Sequence, residues 1–517
     1  MVVPEVRVWR AARPHVVRLA SSVKPHVARI TQAVRPRPVK FTTPQLTVVA
    51  ATVGLALAAG AVAAAGPWDS SGQRTAERDW AASRAGEGGT DHGLTSATGP
   101  RPAPSAATVL TGLGGSTSNG SVPAPAEKAL ADVLDPLLKD PALGAERTAV
   151  VVDVATGKRL YGKGAGEAQT PASTTKIATA VAALSAVGAD QRITTRAVLE
   201  PDTKEVVLVG AGDPTLSARE DAKGWASLRT LADETATALK ARHLSQVTLS
   251  YDTSLYSGAT VHPIGANPNL APVTALMVDE GRTDDSDSGT ATRSEDPAGD
   301  AAREFAKLLQ AKGIKTTSPG PSKATGRSQA LASVSSPPLS TLVERMLTNS
   351  DNDIAEALAR QVALATGQRA SFEGGARGIG LQLTKLGFPV SGVKFADGSG
   401  LNRADKLTAD LLTALLAKAG DPAHPELRPV LTGLPIAGFT GTLSDRYATD
   451  ASATGVVRAK TGTLTGVNTL AGTVVDTDGR LLAFAFLTSD EARPPEPKAA
   501  QAALDRTATA LAGCGCR

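Results

Sequence analysis

Large aromatic side chains are scarce in this sequence: of its 517 residues only 3% are Phe, Trp or Tyr. Most of the apolar surface therefore comes from alanine, glycine and valine, and the core must be built from many small contacts rather than a few large rings. Since 42% of the residues are hydrophobic, a chain of this length can still bury a sizeable core. This excludes disorder throughout the chain.

Cysteine is almost absent, and its two copies, Cys514 and Cys516, lie in a Cys-Gly-Cys tail at residues 512–517. Two cysteines so near the end cannot cross-link the fold. They predict a local disulfide or free thiols on a frayed tail, rather than a redox or metal site. A folded region without cysteine is compatible with an extracytoplasmic enzyme.

Net charge is also low, at +4, and the basic excess lies at one end of the chain. Residues 1–45 contain nine basic residues and a single acid, Glu5, which by the positive-inside rule predicts a cytoplasmic segment. These basic residues are Arg7, Arg10, Arg13, Arg18, Lys24, Arg29, Arg35, Arg37 and Lys40. The body of the protein is not predicted to bind nucleic acid.

A run of 21 residues without charge follows at residues 46–66. At about 1.5 Å rise per residue, this run can cross a hydrocarbon core of roughly 30 Å. It predicts a single-pass signal anchor in the cell membrane, with the N-terminus cytoplasmic and the rest of the chain extracytoplasmic. The alternative is a signal peptide cleaved near residues 63–65, which would make the protein secreted. We favour the anchor, because the basic region is long for a signal peptide.

Residues 67–124 are rich in Gly, Ser, Thr, Pro and Ala and predict a flexible linker. The sequence after the linker begins with an amphipathic helix (residues 126–139) and a strand pair (148–161), and it ends with a hairpin (469–487) and a helix (497–511). Together these elements predict one α+β domain whose two ends meet. We assign residues 125–195 and 335–511 to this domain.

Residues 196–334 interrupt this domain and predict an inserted subdomain. Its predicted elements are strands within 193–209 and 244–250, a helix at 226–239, an exposed acidic loop at 279–300 and a helix at 301–312.

The first motif that can perform chemistry is Ser173-Thr174-Thr175-Lys176, at the start of an apolar helix. A serine and a lysine three residues apart lie on one face of the first helical turn. The lysine can take the serine proton only if burial or a second cation lowers its pKa. The Ser173 amide, at a helix N-terminus, can also donate to an oxyanion. Alone the pattern is weak, because residues 21–24 and 391–394 match it too.

The second motif is Ser350-Asp351-Asn352, at the start of another helical run. The Ser350 hydroxyl can relay a proton to a leaving amine, and the Asn352 amide can bond both the lysine and the substrate. In isolation, these residue types favour a helix N-cap.

The third motif is Lys460-Thr461-Gly462-Thr463, which leads into a strand. A lysine and a hydroxyl on an edge strand can hold a carboxylate, a glycine lets substrate backbone approach, and the Thr463 amide can complete an oxyanion hole. Alone, a surface lysine before a turn is the commoner case. Three such motifs in this order, each at an element boundary, are much less probable by chance.

Ser-x-x-Lys, Ser-Asp-Asn and Lys-Thr-Gly in this order resemble the penicillin-recognising serine enzymes. Further stretches that narrow the resemblance are GAGDPTL at 210–216, SDNDIAE at 350–356, DGSGL at 397–401, LPIAG at 434–438 and GTL at 441–443. Over about residues 127–511, the chain resembles peptidase family S13, the D-alanyl-D-alanine carboxypeptidases/endopeptidases or class C low-molecular-mass penicillin-binding proteins.

This resemblance implies a β-lactamase/transpeptidase-like fold, an antiparallel sheet flanked by helices, with one or two domains inserted between the first two motifs. Ser173 and Ser350 are only 177 residues apart, so one inserted domain is expected to be reduced or missing.

The family roles carry over to matching residues. Ser173 would be acylated, Lys176 would be the base, Ser350 and Asn352 would shuttle the proton and orient the substrate, and Lys460 with Thr461 would bind the terminal carboxylate. Peptidoglycan stem peptides are the implied substrates and β-lactams the covalent inhibitors, with no cofactor and no metal. The lipid bilayer would be contacted through residues 46–66.

Two alternatives remain. A class A β-lactamase shares the three motifs but needs a Glu-x-x-Leu-Asn loop, which residues 388–397 do not offer. A non-catalytic cell-wall-binding protein has no reason to keep Ser173 beside Lys176. A Ser-His-Asp hydrolase is disfavoured, because His243, His262 and His424 lie in no Gly-x-Ser-x-Gly context and are expected to be solvated or structural.

Overall fold

The computed structural model describes residues 125–447 and 451–515. The predicted cytoplasmic segment, signal anchor (46–66) and linker (67–124) therefore lie outside the described residues. Within the described ranges, no helix is both long and apolar enough to span a bilayer.

Helices and strands account for about half of the described chain. The helices are α1 (Glu127–Leu137), α2 (Thr175–Ala186), α3 (Leu228–Ala241), α4 (Pro297–Ala311), α5 (Leu339–Asn349), α6 (Asn352–Ala365), α7 (Phe372–Lys385), α8 (Ala409–Gly420), α9 (Pro429–Thr432) and α10 (Pro497–Ala512). The strands are β1 (Glu146–Asp153), β2 (Arg159–Lys163), β3 (Thr194–Glu200), β4 (Glu205–Val209), β5 (Gln246–Asp252), β6 (Lys315–Thr316), β7 (Gly320–Pro321), β8 (Gln329–Ser335), β9 (Arg458–Leu464), β10 (Val467–Val475) and β11 (Leu481–Ser489).

The first sheet is antiparallel and has the strand order β2-β1-β11-β10-β9. The strands β1 and β11 pair along their full length, from Glu146 opposite Ser489 to Asp153 opposite Leu482. This confirms that the two ends of the described chain meet in one α+β unit. The strand β9 forms one edge of the sheet.

Both faces of this sheet are buried, and β11 shows how its residues divide between them. Phe484 and Phe486 pack with α1 and α10 on one face, while Ala483 and Ala485 pack with α2 and α8 on the other. Successive residues of a strand point to opposite faces, so this alternation follows from the sequence. The small alanines let α8, which packs directly on β11 and β1, lie close to the sheet.

The predicted hairpin between β10 and β11 is confirmed, with Val475 opposite Leu481. Its turn forms because the Asp476 carboxylate accepts hydrogen bonds from the amides of Asp478 and Arg480. Gly479 supplies the positive φ of +80° that this turn requires.

A second, mixed sheet is formed by residues 194–335, with the strand order β6-β5-β4-β3-β8 and β7 beside β5. The predicted strand region 193–209 is a hairpin of two strands, β3 and β4. The helices α3 and α4 supply much of the apolar cluster that packs with this sheet.

Three expectations need correction. The helix α4 starts at Pro297 rather than at residue 301, because Asp296 caps it by accepting from the Gly299 amide. The stretch 279–300 is only partly exposed, since Glu280 at its start is 2% exposed. The C-terminal tail is not frayed at Cys514, which packs against the core that contains α10. The predicted alternative of a disulfide is supported, because Cys514 is disulfide-bonded.

Candidate active site

Ser173 lies in a 3-10 turn, Ala172–Thr174, that leads directly into α2. The turn is held by the Pro171 carbonyl, which accepts from the Thr174 hydroxyl at 2.7 Å and from the Thr469 hydroxyl of β10 at 2.8 Å. Ala172 adopts a left-handed conformation, with φ of 48°, that other residues rarely adopt without support. The serine is thus fixed by the sheet before the helix begins.

Lys176 is fully buried in the first turn of α2, and its Nζ contacts three oxygen atoms. These are Oγ of Ser173 at 3.0 Å, Oδ1 of Asn352 at 2.7 Å and the carbonyl oxygen of Ser399 at 2.7 Å. Burial lowers the pKa of Lys176 to about 8, although nearby carboxylates such as Asp397 oppose the shift. A neutral amine in contact with the serine hydroxyl is the arrangement that a general base requires.

The second motif lies at the junction of α5 and α6. Ser350 ends α5 in a left-handed conformation, with φ of 58° and ψ of 38°. Asp351 is the N-cap of α6 and accepts from the Ile354 amide at 2.9 Å. The helix-cap interpretation thus applies to Asp351, and the predicted contact between Asn352 and the lysine is also present.

The third motif lies on β9, the edge strand of the first sheet. Lys460 is fully buried and donates to the carbonyl of Thr461 at 2.8 Å. Burial lowers the pKa of Lys460 well below its usual range, and the charge of Lys176 lowers it further. The Thr461 hydroxyl bonds that of Thr442 at 2.8 Å.

Gly462 has a structural role in addition to the one predicted. A Cβ at this position would come within 2.1 Å of the Thr469 hydroxyl and 2.7 Å of the Pro171 carbonyl. The absent side chain therefore makes room for the turn that carries Ser173. The approach of substrate backbone at Gly462 stays a prediction.

A cleft of about 370 Å³ runs between these motifs. Of the predicted site residues, those that line it are Ser173, Ser350, Asn352, Thr461 and Thr463. Lys176 and Lys460 lie behind its wall, each fully buried. The structure thus brings all three motifs together around one cleft, while the competing Ser391 and Lys394 are both exposed.

Three arginines also line the cleft, and sequence reasoning missed them. Each is paired with a carboxylate: Arg282 with Glu280, Arg293 with Asp353, and Arg446 with Asp505. The first two come from the stretch expected to be an exposed loop. The burial of this stretch could not be predicted locally, because Arg293 pairs with Asp353 of α6, which is distant in the sequence.

Backbone groups of the DGSGL stretch complete the site. Asp397 accepts from the amides of Ser399 at 3.1 Å and Gly400 at 2.6 Å. Burial acts to raise the pKa of Asp397, but hydrogen bonds with the side chains of His262 and Asp405 and with the Gly400 amide lower it to about 2. Glu356, one turn along α6 from Asn352, accepts from the Ser399 amide at 3.0 Å. The loop is thereby fixed with the Ser399 carbonyl facing Lys176.

Two sets of side chains in the described ranges are close enough to surround a metal ion: His262 with Glu356 and Asp397, and Glu280 with Asp351 and Asp353. Protein donors already occupy the first set, including the His262 ring and the amides of the DGSGL stretch. The second set is paired with Arg282, Arg293 and Arg345. Neither set is proposed as a metal site.

Comparison with known proteins places these features in a family. A family model described as the D-Ala-D-Ala carboxypeptidase 3 (S13) family matches residues 130–287 and 283–511. A carboxypeptidase DacB from Mycolicibacterium smegmatis is 39% identical over 411 residues, covering 77% of this chain and 86% of the relative. A D-alanyl-D-alanine carboxypeptidase from an Actinomadura species is 30% identical over 453 residues, covering 72% of this chain and 83% of the relative.

The fold also resembles that of a solved structure, penicillin binding protein 4 (dacB) from Haemophilus influenzae. The TM-score is 0.59 at 21% identity, with 74% of this chain and 97% of the other covered. This likeness concerns the fold alone.

Proposed function

This chain belongs to the D-Ala-D-Ala carboxypeptidase 3 (S13) family, and we propose that Ser173 is the nucleophile that takes up the acyl group of a peptidoglycan stem peptide. Its enzyme class is that of a serine-type D-Ala-D-Ala carboxypeptidase. The observation that supports the proposed nucleophile most directly is the buried Nζ of Lys176 at 3.0 Å from the Ser173 hydroxyl.

In acylation, Oγ of Ser173 attacks the carbonyl carbon of the terminal peptide bond while Nζ of Lys176 takes its proton. The amides of Ser173 and Thr463 hold the resulting oxyanion. The C–N bond then breaks, and the proton returns from Lys176 through the Ser350 hydroxyl to the leaving amine of D-alanine. Water later hydrolyses the ester and frees Ser173.

The substrate's terminal carboxylate is placed at the β9 end of the cleft, where Thr461 and Thr463 offer hydroxyls. Lys460 supports this end from behind, bonded to the Thr461 carbonyl. The Asn352 side chain lies between Lys176 and the cleft and orients the penultimate residue of the substrate.

β-Lactams acylate the same serine, and we infer that deacylation is slow. The sequence that follows the second motif has no Glu-x-x-Leu-Asn loop to activate water. A β-lactamase would turn over penicillin, so accumulation of the adduct distinguishes the two enzymes.

Labelling with a fluorescent penicillin tests this function. The purified chain should form one covalent adduct that maps to Ser173, and Ser173→Ala should abolish it. Adduct formation at an undiminished rate in Ser173→Ala would contradict the assignment. Release of D-alanine from a muramyl pentapeptide, compared with cleavage of a cross-linked dimer, separates carboxypeptidase from endopeptidase activity.

We also propose that residues 46–66 anchor the chain in the cell membrane with the catalytic part outside. Support comes from sequence alone: 21 uncharged residues follow a segment with nine basic residues. The chain should stay with membranes after carbonate extraction, and Leu55→Arg with Leu57→Arg should release it. A shortened protein in the culture medium would instead show that the segment is cleaved.

A further inference from the structure

Residues 256–273, hereafter the bridging segment, lie in neither sheet and in no helix. The segment packs against the start of α7, where Leu270 and Val273 contact Phe372. The Ser257 amide also bonds the Ala370 carbonyl at 2.9 Å. From this anchorage, the segment reaches two groups that surround Lys176.

The first of these groups is the side-chain amide of Asn352. Its Nδ2 is 2.9 Å from the backbone carbonyl of Asn269, which can only accept a hydrogen bond. The amide nitrogen of Asn352 must therefore face the bridging segment. As a consequence, its Oδ1, an acceptor only, faces Lys176.

The second group is the loop that carries Ser399, which the bridging segment reaches through His262. Nδ1 of His262 accepts from the Ile264 amide at 3.2 Å, so the proton of the neutral ring is on Nε2. This Nε2 donates to Oδ2 of Asp397 at 2.9 Å. His262 is 3% exposed, and its ring lies perpendicular to that of Phe372 at a centroid distance of 5.0 Å.

Asp397 links His262 to the loop whose Ser399 carbonyl contacts Lys176. Its carboxylate binds the amides of Ser399 and Gly400 and thus fixes the direction of the Ser399 carbonyl. That carbonyl, like Oδ1 of Asn352, can only accept, and both lie 2.7 Å from Nζ of Lys176. A neutral amine has two N–H bonds and one lone pair. The two fixed acceptors take the N–H bonds, and the lone pair is left for the Ser173 hydroxyl.

We propose that the bridging segment is a positioning element for the general base: the Asn269 carbonyl and the His262 ring fix the two acceptors of Lys176 and so direct its lone pair at Ser173. If the Asn352 amide were reversed, its N–H would compete with the serine for that lone pair. His262 and Asn269 touch no reacting atom. The inference rests on the proposed role of Lys176 as the base.

The test uses purified full-length chain and a fluorescent penicillin, with two separate readouts. One is the second-order rate constant of labelling, and the other is the fraction of molecules labelled at completion. His262→Phe removes the donor to Asp397 but keeps a ring against Phe372. His262→Gln restores an N–H donor near the position of Nε2. His424→Phe is the control, since His424 is a partly exposed residue whose ring bonds only Glu426 among the described side chains.

A misplaced base slows acylation without removing the site, and a displacement of about 1 Å can lower a rate by about 100-fold. We therefore expect His262→Phe to label completely but about 10- to 100-fold more slowly. His262→Gln should recover most of the rate, and His424→Phe should match the original chain. If His262→Phe does not fold, His262→Asn, whose amide is too short to reach Asp397, provides the same comparison.

Labelling of His262→Phe or His262→Asn at the original rate, whether the final fraction is full or reduced, would overturn the proposal, because it would show a purely structural role. Failure of the proposed function gives a different result, namely labelling that persists in Ser173→Ala.

Discussion

Lys176 is enclosed by protein atoms on every side, and this determines how the activity should depend on pH. Burial lowers its pKa to about 8, so the ammonium form dominates below that pH and the amine form above it. Only the amine can accept the Ser173 proton. The rate constant for penicillin acylation should therefore rise about tenfold per pH unit up to about pH 8 and then level off.

The stopped-flow or quenched labelling profile of the original chain checks this prediction, with His424→Gln as the control for histidine titration. If the inflection lies near pH 6, or if it moves in His424→Gln, the rise of the rate constant with pH is caused by a group other than Lys176.

The lowered pKa of Lys176 also makes the free energy of unfolding depend on pH. A lysine whose pKa is lower in the folded state binds fewer protons there than in the unfolded chain between pH 8 and its ordinary value of 10.5. This contribution to the free energy of unfolding therefore increases with pH across that window, and it is constant below it.

Gly400 is a residue at which a single methyl group should disable the site. A Cβ there would lie 1.9 Å from the carbonyl oxygen of Ala172, the residue before Ser173. Gly400→Ala should displace the nucleophile turn and reduce the rate of penicillin labelling by at least about 100-fold. Its φ is +81°, so part of any stability loss comes from backbone strain.

Gly313→Ala isolates that strain, because Gly313 has nearly the same φ, +82°, and no atom within 4 Å of the added methyl. It should lose about 1–2 kcal/mol of stability and keep its labelling rate. Equal rates in the two variants would show that the contact with Ala172 is unimportant.

At the scale of single residues, sequence predicted the groups whose side chains form motifs. Ser173, Lys176 and Asn352 are side chains at recognisable spacings, and the structure places them in contact. The carbonyls of Ser399 and Asn269 could not be predicted, since a backbone carbonyl is the same in every residue. His262 was expected to be solvated or structural, and its burial against Asp397 excludes the solvated alternative.

At the scale of elements, α6 presents a continuous polar face to the site. Asn352, Glu356 and Arg360 follow one another at intervals of four residues, which places them on one side of the helix. Glu356 contacts Arg360 at 3.2 Å, and the guanidinium stacks on Phe372 at 4.2 Å. The helix thus binds Lys176 with its first residue and the Ser399 loop with its second turn.

Glu356→Gln should destabilise the protein by about 3–5 kcal/mol, because it leaves the buried guanidinium of Arg360 without its carboxylate. The double variant Glu356→Gln/Arg360→Met removes both charges and should recover much of that loss. Urea unfolding, followed by circular dichroism, measures both. A neutral effect of Glu356→Gln would mean that this carboxyl is already protonated in the folded protein.

Element boundaries were predictable where turn chemistry is local. The β10–β11 hairpin was predicted from Asp-Thr-Asp-Gly at residues 476–479, whose side chain and glycine form the turn themselves. The start of α4 was missed by four residues because an aspartate cap followed by proline was interpreted as loop. The partial burial of residues 279–300 depends on contacts with α5 and α6. These elements are distant in the sequence, and no local pattern encodes the contacts.

At the scale of the whole molecule, the first sheet holds together two parts of the chain that are separated by the second sheet. Leu504 of α10 packs in the same apolar cluster as Leu130 of α1, and both are almost fully buried. Removal of a side chain from this cluster should weaken both parts at once.

Leu504→Ala should therefore lower the free energy of unfolding by about 2–5 kcal/mol. Leu381→Ala is the control, because Leu381 is 51% exposed and its truncation should change stability by less than about 0.5 kcal/mol. Thermal unfolding monitored together with penicillin labelling tests this. A loss confined to α10, with labelling retained to the original temperature, would contradict a shared core.

That the two ends of the described chain form one domain was predictable, because each end contributes strands that need partners. The order of the strands in the sheet was not predictable. Placing β11 between β1 and β10 requires knowledge of pairings across more than 300 residues. The predicted boundaries of the inserted subdomain, 196 and 334, remain predictions.

The pairing of β1 with β11 also determines when, during translation, the first sheet can form. Ser173 and Lys176 leave the ribosome early, but the strand that completes the middle of their sheet is not finished until Ser489 has been made. A nascent chain holds its nucleophile for most of translation without the platform that orients it. Penicillin should consequently fail to label ribosome-bound intermediates in which β11 has not yet been made.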